Sequence, residues 1–175
     1  MFAAQGATCF AQVSDLSDIP HLTIKYYDVS GTTVQEIRDQ LDKQGPFDPD
    51  ENRRGPANTT FNARWYIEWV GKSPCKITSA RVDYEIIVTL PRLAAPDQIS
   101  SDVATKWDAF MKPLVMHERG HALIAAEIAQ LPNILKSATC KTANDVANHF
   151  LEELKERNLA YDAATNHGIA QGIVF

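Results

Sequence analysis

Residues 116–121 read MHERGH, and no other stretch restricts the fold as much. Two histidines four residues apart face the same way only on an α-helix, where positions i and i+4 stand one turn apart. Leu114, Val115, Leu123 and Ile124 flank them, so the helix belongs at the edge of a core rather than in open water. Gly120 costs a helix interior about 1 kcal/mol relative to Ala. Such a residue is best tolerated where another part of the chain, or a bound backbone, comes close.

The pattern H-E-x-x-H has a chemical rationale that H-x-x-x-H lacks. His117 and His121 can point both imidazoles at one zinc ion, with zinc-to-nitrogen bonds of about 2.0–2.1 Å. Glu118 lies about 100° further round the helix axis, beside the ion without binding it, where it can take a proton from water. The plainer reading is a partly exposed turn carrying two ordinary histidines, which the apolar neighbours oppose. A catalytic zinc also needs a third protein ligand and an open position. That ligand has to come from beyond the helix.

Several residues compete for the role. His149 falls among Asn148, Glu152 and Glu153 and is expected to face solvent; His21 opens a strand and reads as structural or surface. Glu152, Glu153 and Glu156 can serve if the last helix packs beside the first, but their surroundings read as a charged outer face. The segment YDAATNHG places Tyr161, Asp162, Thr165, His167 and Gly168 just after that helix. Taken alone, it also fits a C-terminal turn capped by Asp and Asn.

The rest of the chain sets the frame. At 175 residues it suits one domain with its own core. A net charge of -5 with no basic cluster beyond Arg53-Arg54 argues against a nucleic-acid partner. No stretch approaches the ~18 apolar residues of a membrane span. The first residues, MFAAQGATCFAQVS, lack the basic and apolar regions of an intact signal peptide, and GATC around Cys9 is a poor approach to a lipidation site. Three cysteines make no metal-binding spacing. In an oxidising compartment Cys75, in the turn GKSPCK, is expected to pair with Cys140, in the connection KSATCKT; in the cytosol all three would be free thiols.

Residues 21–29 alternate, with Leu22, Ile24 and Tyr26 on one side, and read as a strand. Thr33 and Glu36 form a capping box for a helix with an apolar stripe at Val34, Ile37 and Leu41, ended by Gly45-Pro46. Residues 46–58 read as an exposed polar loop. In FNARWYIEWV, Phe61, Ala63, Trp65, Ile67 and Trp69 share one face. Val82, Tyr84, Ile86, Val88 and Leu90 alternate in the next strand, so an antiparallel hairpin is expected, bulged near Ser79 to Arg81. Ser100 or Ser101 caps a long helix interrupted at Pro113, and a last helix carries Val146, Phe150, Leu151 and Leu154. The order β-α-β-β-α-α predicts an α+β domain: a small antiparallel sheet packed against the H-E-x-x-H helix and a C-terminal helix.

The stretch WDAFMKPLVMHERGHALIAAEIA followed by YDAATNHGIAQG, with YYDVSGTTVQEIRDQL and CKITSARVDYEIIVTLP upstream, resembles a family of bacterial proteins described as predicted secreted zinc-dependent proteases, a domain of otherwise unknown function. The resemblance covers most of the chain. It implies periplasmic or secreted residence, a zinc site at His117 and His121 with one ion per chain, Glu118 as base and a functional role for YDAATNHG; the chain is expected to form one zincin-like catalytic domain over residues 21–175 behind a mobile segment 1–20. Within YDAATNHG, His167 is the expected third ligand. Asp162 is the alternative, or a partner that orients a ligand histidine. Tyr161 either donates its hydroxyl to a developing oxyanion or stacks against the helix.

The expected function is zinc-dependent hydrolysis of amide bonds in a peptide or protein substrate. Two alternatives stay open: a non-catalytic zinc-stabilised envelope binding module, and a zinc amidase acting on a non-peptide or cell-wall amide.

Overall fold

The structure is a computed structural model describing residues 16–49 and 52–175; Cys9 lies outside the described residues. Strand β1 (Leu22–Val29) leads into helix α1 (Val34–Gln44), whose capping box forms as the sequence predicts, Thr33 and Glu36 each accepting from the other's backbone. The expected loop 46–58 contains a two-residue ribbon, β2 (Phe47–Asp48) against β3 (Arg53–Arg54). Two long strands follow, β4 (Asn58–Val70) and β5 (Lys76–Leu93). Helix α2 (Ser101–Ala126), short α3 (Leu131–Leu135) and α4 (Ala143–Thr165) complete the α+β domain.

The main sheet is mixed rather than purely antiparallel, in the order β1-β5-β4. β4 and β5 form the predicted antiparallel hairpin, whereas β1 runs parallel to β5, Leu22 opposite Ile86 and Val29 opposite Leu93. Parallel pairing needs a long crossover, which α1 and β4 supply here, and side-chain alternation carries no information about strand direction. The irregularity in the hairpin falls where Glu68 pairs with Ser79 and Trp69 with Ile77. Thr78 is thus the extra residue, just ahead of the predicted position.

α2 lies across the inner face of the sheet, where Ile86, Val88 and Leu90 meet Trp107, Phe110, Met111, Leu114 and Val115 in the main core. Ser100 is its cap, accepting from Val103 N–H, and the helix continues through Pro113. The core extends to Leu16 and Ile19, both buried, which lie within the segment expected to be mobile. Tyr26 departs from the predicted stripe: it is 41% exposed with the Arg92 guanidinium over its ring. Tyr27 packs instead, because α1 covers β1 on that side and Val29, Ile37 and Leu41 join it there.

A second, smaller core sits under the far end of the hairpin, where Ile77 meets Leu131, Leu135, Ala143 and Ala147. Trp65 Nε1 donates to Asn144 Oδ1 across it at 3.0 Å. Cys75 and Cys140 form the expected disulfide there, 65 residues apart in sequence, and tie the hairpin to the start of α4. Closing a loop of that length removes about 4 kcal/mol of unfolded-state entropy. Replacing both cysteines by serine is expected to lower the unfolding free energy in urea by up to about 4 kcal/mol. A loss below about 1 kcal/mol would mean that the bridge does not constrain the unfolded chain as the entropic account requires.

Candidate metal centre

The helix that MHERGH demands places His117 and His121 on consecutive turns, with their Nε2 atoms 3.1 Å apart. α4 packs beside it and brings Asp162 Oδ1 to 3.1 Å from each of those nitrogens. Among the described residues, this is the group of His, Cys, Asp or Glu side chains whose ligand atoms gather closely enough to hold a metal ion. Both histidines are buried, and the Asp162 side chain is 17% exposed.

The outward nitrogens decide what the inward ones can do. Asn158 Nδ2 donates to the Leu154 carbonyl at 2.9 Å, which turns its Oδ1 toward His121 Nδ1, 2.7 Å away. Gln171 Nε2 donates to Tyr161 Oη at 2.9 Å, which turns its Oε1 toward His117 Nδ1, also 2.9 Å away. Both imidazoles therefore carry their proton on Nδ1 and present Nε2 lone pairs inward. Two lone pairs and a carboxylate oxygen converge with no donor between them, an arrangement that a bound cation or an added proton relieves. Separations of 3.1 Å are close to the edge of a tetrahedron with corners about 2 Å from its centre, as zinc requires. Two imidazoles and a carboxylate are a donor set that fits it.

Protons are the alternative occupants. Burial opposes a charge on His121, but its bonds to Asp162 and the charges of Glu118 and Asp162 outweigh this and raise its pKa. Burial also opposes ionisation of Asp162, and the two imidazoles outweigh it, holding the carboxyl well below the usual range.

Glu118 is buried but stands outside the donor triad. Its Oε2 accepts from Thr59 Oγ1 on β4 at 2.7 Å. Burial pushes its pKa up, against the pull of His121, the Thr59 hydrogen bond and His117. Glu118 lines a cavity of about 530 Å³ together with His117, His121 and Asp162.

The sequence favours His167 as third ligand, whereas the side chain that gathers with the two histidines is that of Asp162. α4 runs on to Thr165 instead of ending before Tyr161, so Asp162 projects from its inner face one turn beyond Asn158. His167 lies past the end of the helix, 36% exposed, with Nδ1 3.8 Å from Asp162 Oδ1. Glu152, Glu153 and Glu156 face outward, and His149 pairs with Glu153 at the surface. Tyr161 stacks on His117 with ring centroids 5.2 Å apart and meets His121 edge-on. It does not line the cavity, which favours bracing over contact with a reacting group. Thr59, Asn158 and Gln171 were not legible in the sequence; only Asn158, four residues before Asp162, has a spacing that hints at its place.

Gly120 is explained by Tyr161. A Cβ at this position would lie 2.3 Å from Tyr161 Oη, so the close approach comes from an aromatic side chain of α4. In the wild-type background Gly120→Ala is expected to destabilise the fold by about 1–3 kcal/mol through overpacking. In a Tyr161→Ala background the same change should stabilise it by up to about 1 kcal/mol, because helix propensity then acts alone. Equal effects in both backgrounds, measured by urea denaturation, would show that the ring does not require the glycine.

Comparison with curated proteins and with solved structures finds no match. The model of a family described as bacterial protein of unknown function (DUF922) matches residues 24–168, a span that contains most of β1, the whole of α2, and Asp162 on α4. The chain belongs to this bacterial family.

Proposed function

We propose that the chain is a zinc-dependent hydrolase of amide bonds, with one zinc held by His117, His121 and Asp162 and with Glu118 as general base. The observation that carries this reading is the convergence of three lone-pair donors beside a buried carboxylate that is not one of them, all facing one cavity. Bound there, zinc would polarise a carbonyl and make water more acidic.

The chain's own groups supply the rest. Asn158 and Gln171 fix the imidazole rings and raise their basicity as ligands, a role worth roughly 10–100-fold in metal affinity in comparable sites. Thr59 holds one oxygen of Glu118, which leaves Oε1 to accept a proton from water and return it to the departing nitrogen. The raised pKa of Glu118 suits a group that must both take and give a proton. Tyr161 braces His117 and Gln171. The Cys75–Cys140 bridge supports residence in an oxidising compartment, the periplasm or the exterior. No helix among the described residues is long and apolar enough to cross a membrane.

Glu118→Gln should retain close to one zinc per chain and lose roughly 10²–10⁴-fold in kcat on an unstructured protein substrate. A variant that binds zinc and cleaves at the wild-type rate would remove Glu118 as the base, whereas a zinc-loaded wild type that cleaves nothing would leave the zinc-stabilised binding module as the better reading. Metal analysis separates the two third-ligand assignments. Asp162→Ala is expected to lose zinc and His167→Ala to retain it; the reverse pattern would restore His167 as the ligand.

A further inference from the structure

We infer that the cavity beside the metal centre is a subsite for one large apolar side chain of a polypeptide, so that the enzyme selects a residue such as Leu or Phe next to the bond it cleaves. This deepens the hydrolase reading and rests on it. On α2, Phe110, Leu114, His117, Glu118 and His121 follow at helical spacing and all line the cavity. The cavity therefore runs along the helix from the donors toward its N-terminus. Phe110 lies seven residues before His117, about 10 Å along the axis, the length of about three residues of extended chain, so the arm is deep enough to take a large side chain carried beside the cleaved bond.

The walls of that arm are apolar. Leu114 and Phe110 form the α2 side, Ala57 and Phe61 the β4 side, and Ile173 and Phe175 close it from the C-terminal tail. Phe175 packs on Phe110 with centroids 5.1 Å apart and edge-on to Trp107, so this wall is fixed by aromatic packing. About 530 Å³ is within the range of roughly 300–1,000 Å³ typical of ligand pockets. Charge does not offer a competing basis for selection. Arg38, Arg53 and Lys155 line the same cavity, but Asp42 and Asp48 accompany them, so its charged part is mixed in sign.

The test is binding of peptide hydroxamates to the zinc-loaded full chain by calorimetry, in two series that carry Leu or Gly on the acyl or the amine side of the hydroxamate. Acetohydroxamate, which reaches the metal without a side chain, reports that the site is loaded. In one series Leu should bind roughly ten- to a hundredfold tighter than Gly, the gain expected from burying such a side chain. Ala57→Phe, which fills the arm, and Ile173→Ala, which removes a wall, should each reduce that preference to within about threefold. Equal binding of Leu and Gly in both series, with acetohydroxamate bound, would overturn the subsite and leave the hydrolase reading standing. Failure of acetohydroxamate and of every peptide to bind would overturn the hydrolase reading and the subsite with it.

Discussion

The structure turns on one electrostatic constraint, the carboxylate of Asp162 facing two imidazole lone pairs at 3.1 Å. Three acceptors gathered in a mostly buried place repel one another unless a positive charge joins them. With protons as that charge, His121 is driven toward its cationic form and Asp162 is held ionised. A zinc ion held there would supply the charge without a proton and compete with protonation of His121, which would couple metal affinity to pH and to the packing of α4 against α2.

That packing has its own supports. Tyr161 fits into the space left by Gly120. Farther along, Arg157 on α4 makes a two-pronged contact with Glu127 at the end of α2, an exposed pair worth little in free energy but well placed to set the register of the helices. The disulfide holds the start of α4 against the hairpin. Each contact lies on a different stretch of α4, so its rotation about its own axis is fixed and Asp162 has one orientation toward the histidines.

Where sequence reasoning worked and where it failed follows the same division. The alternation in β4 and β5, the Thr33–Glu36 capping box, the long helix around Glu118 and the cysteine pair were legible because each is a local pattern with a local cause. The C-terminal extent of α4 was not. Its inner face does keep helical spacing through Leu154, Asn158, Tyr161, Asp162 and Thr165, all at least partly buried, but Asn158, Tyr161 and Asp162 meet His117 or His121 rather than a core. A search for apolar period finds nothing there. Binary patterning fails where the chain serves chemistry instead of packing. From that misplaced helix end follows the choice of His167 over Asp162. The parallel pairing of β1 and the contacts of Thr59 and Gln171 were hidden for a different reason, being long-range consequences of topology with no trace in their neighbours.

The residues that follow α4 join the two halves of the site. Asn166, His167 and Gly168 all take left-handed backbone conformations, with φ of 49°, 52° and 77°, and for the two side-chain-bearing residues this costs roughly 1–2 kcal/mol each, less for Asn. The reversal lays the tail back over α2. Gly168 comes so close that a Cβ would sit 3.2 Å from His117 Cγ and 2.1 Å from Ile173 Cδ1. One chain reversal thereby sets Gln171 on His117, which orients its imidazole toward Asp162, and sets Ile173 and Phe175 against the cavity. Strain of this kind persists only where the surroundings over-determine it, and here the aromatic packing of Phe175 and the hydrogen bonds of Gln171 do so together. The orientation of the donor and the shape of the apolar arm are therefore not independent: a change that loosens the tail disturbs both.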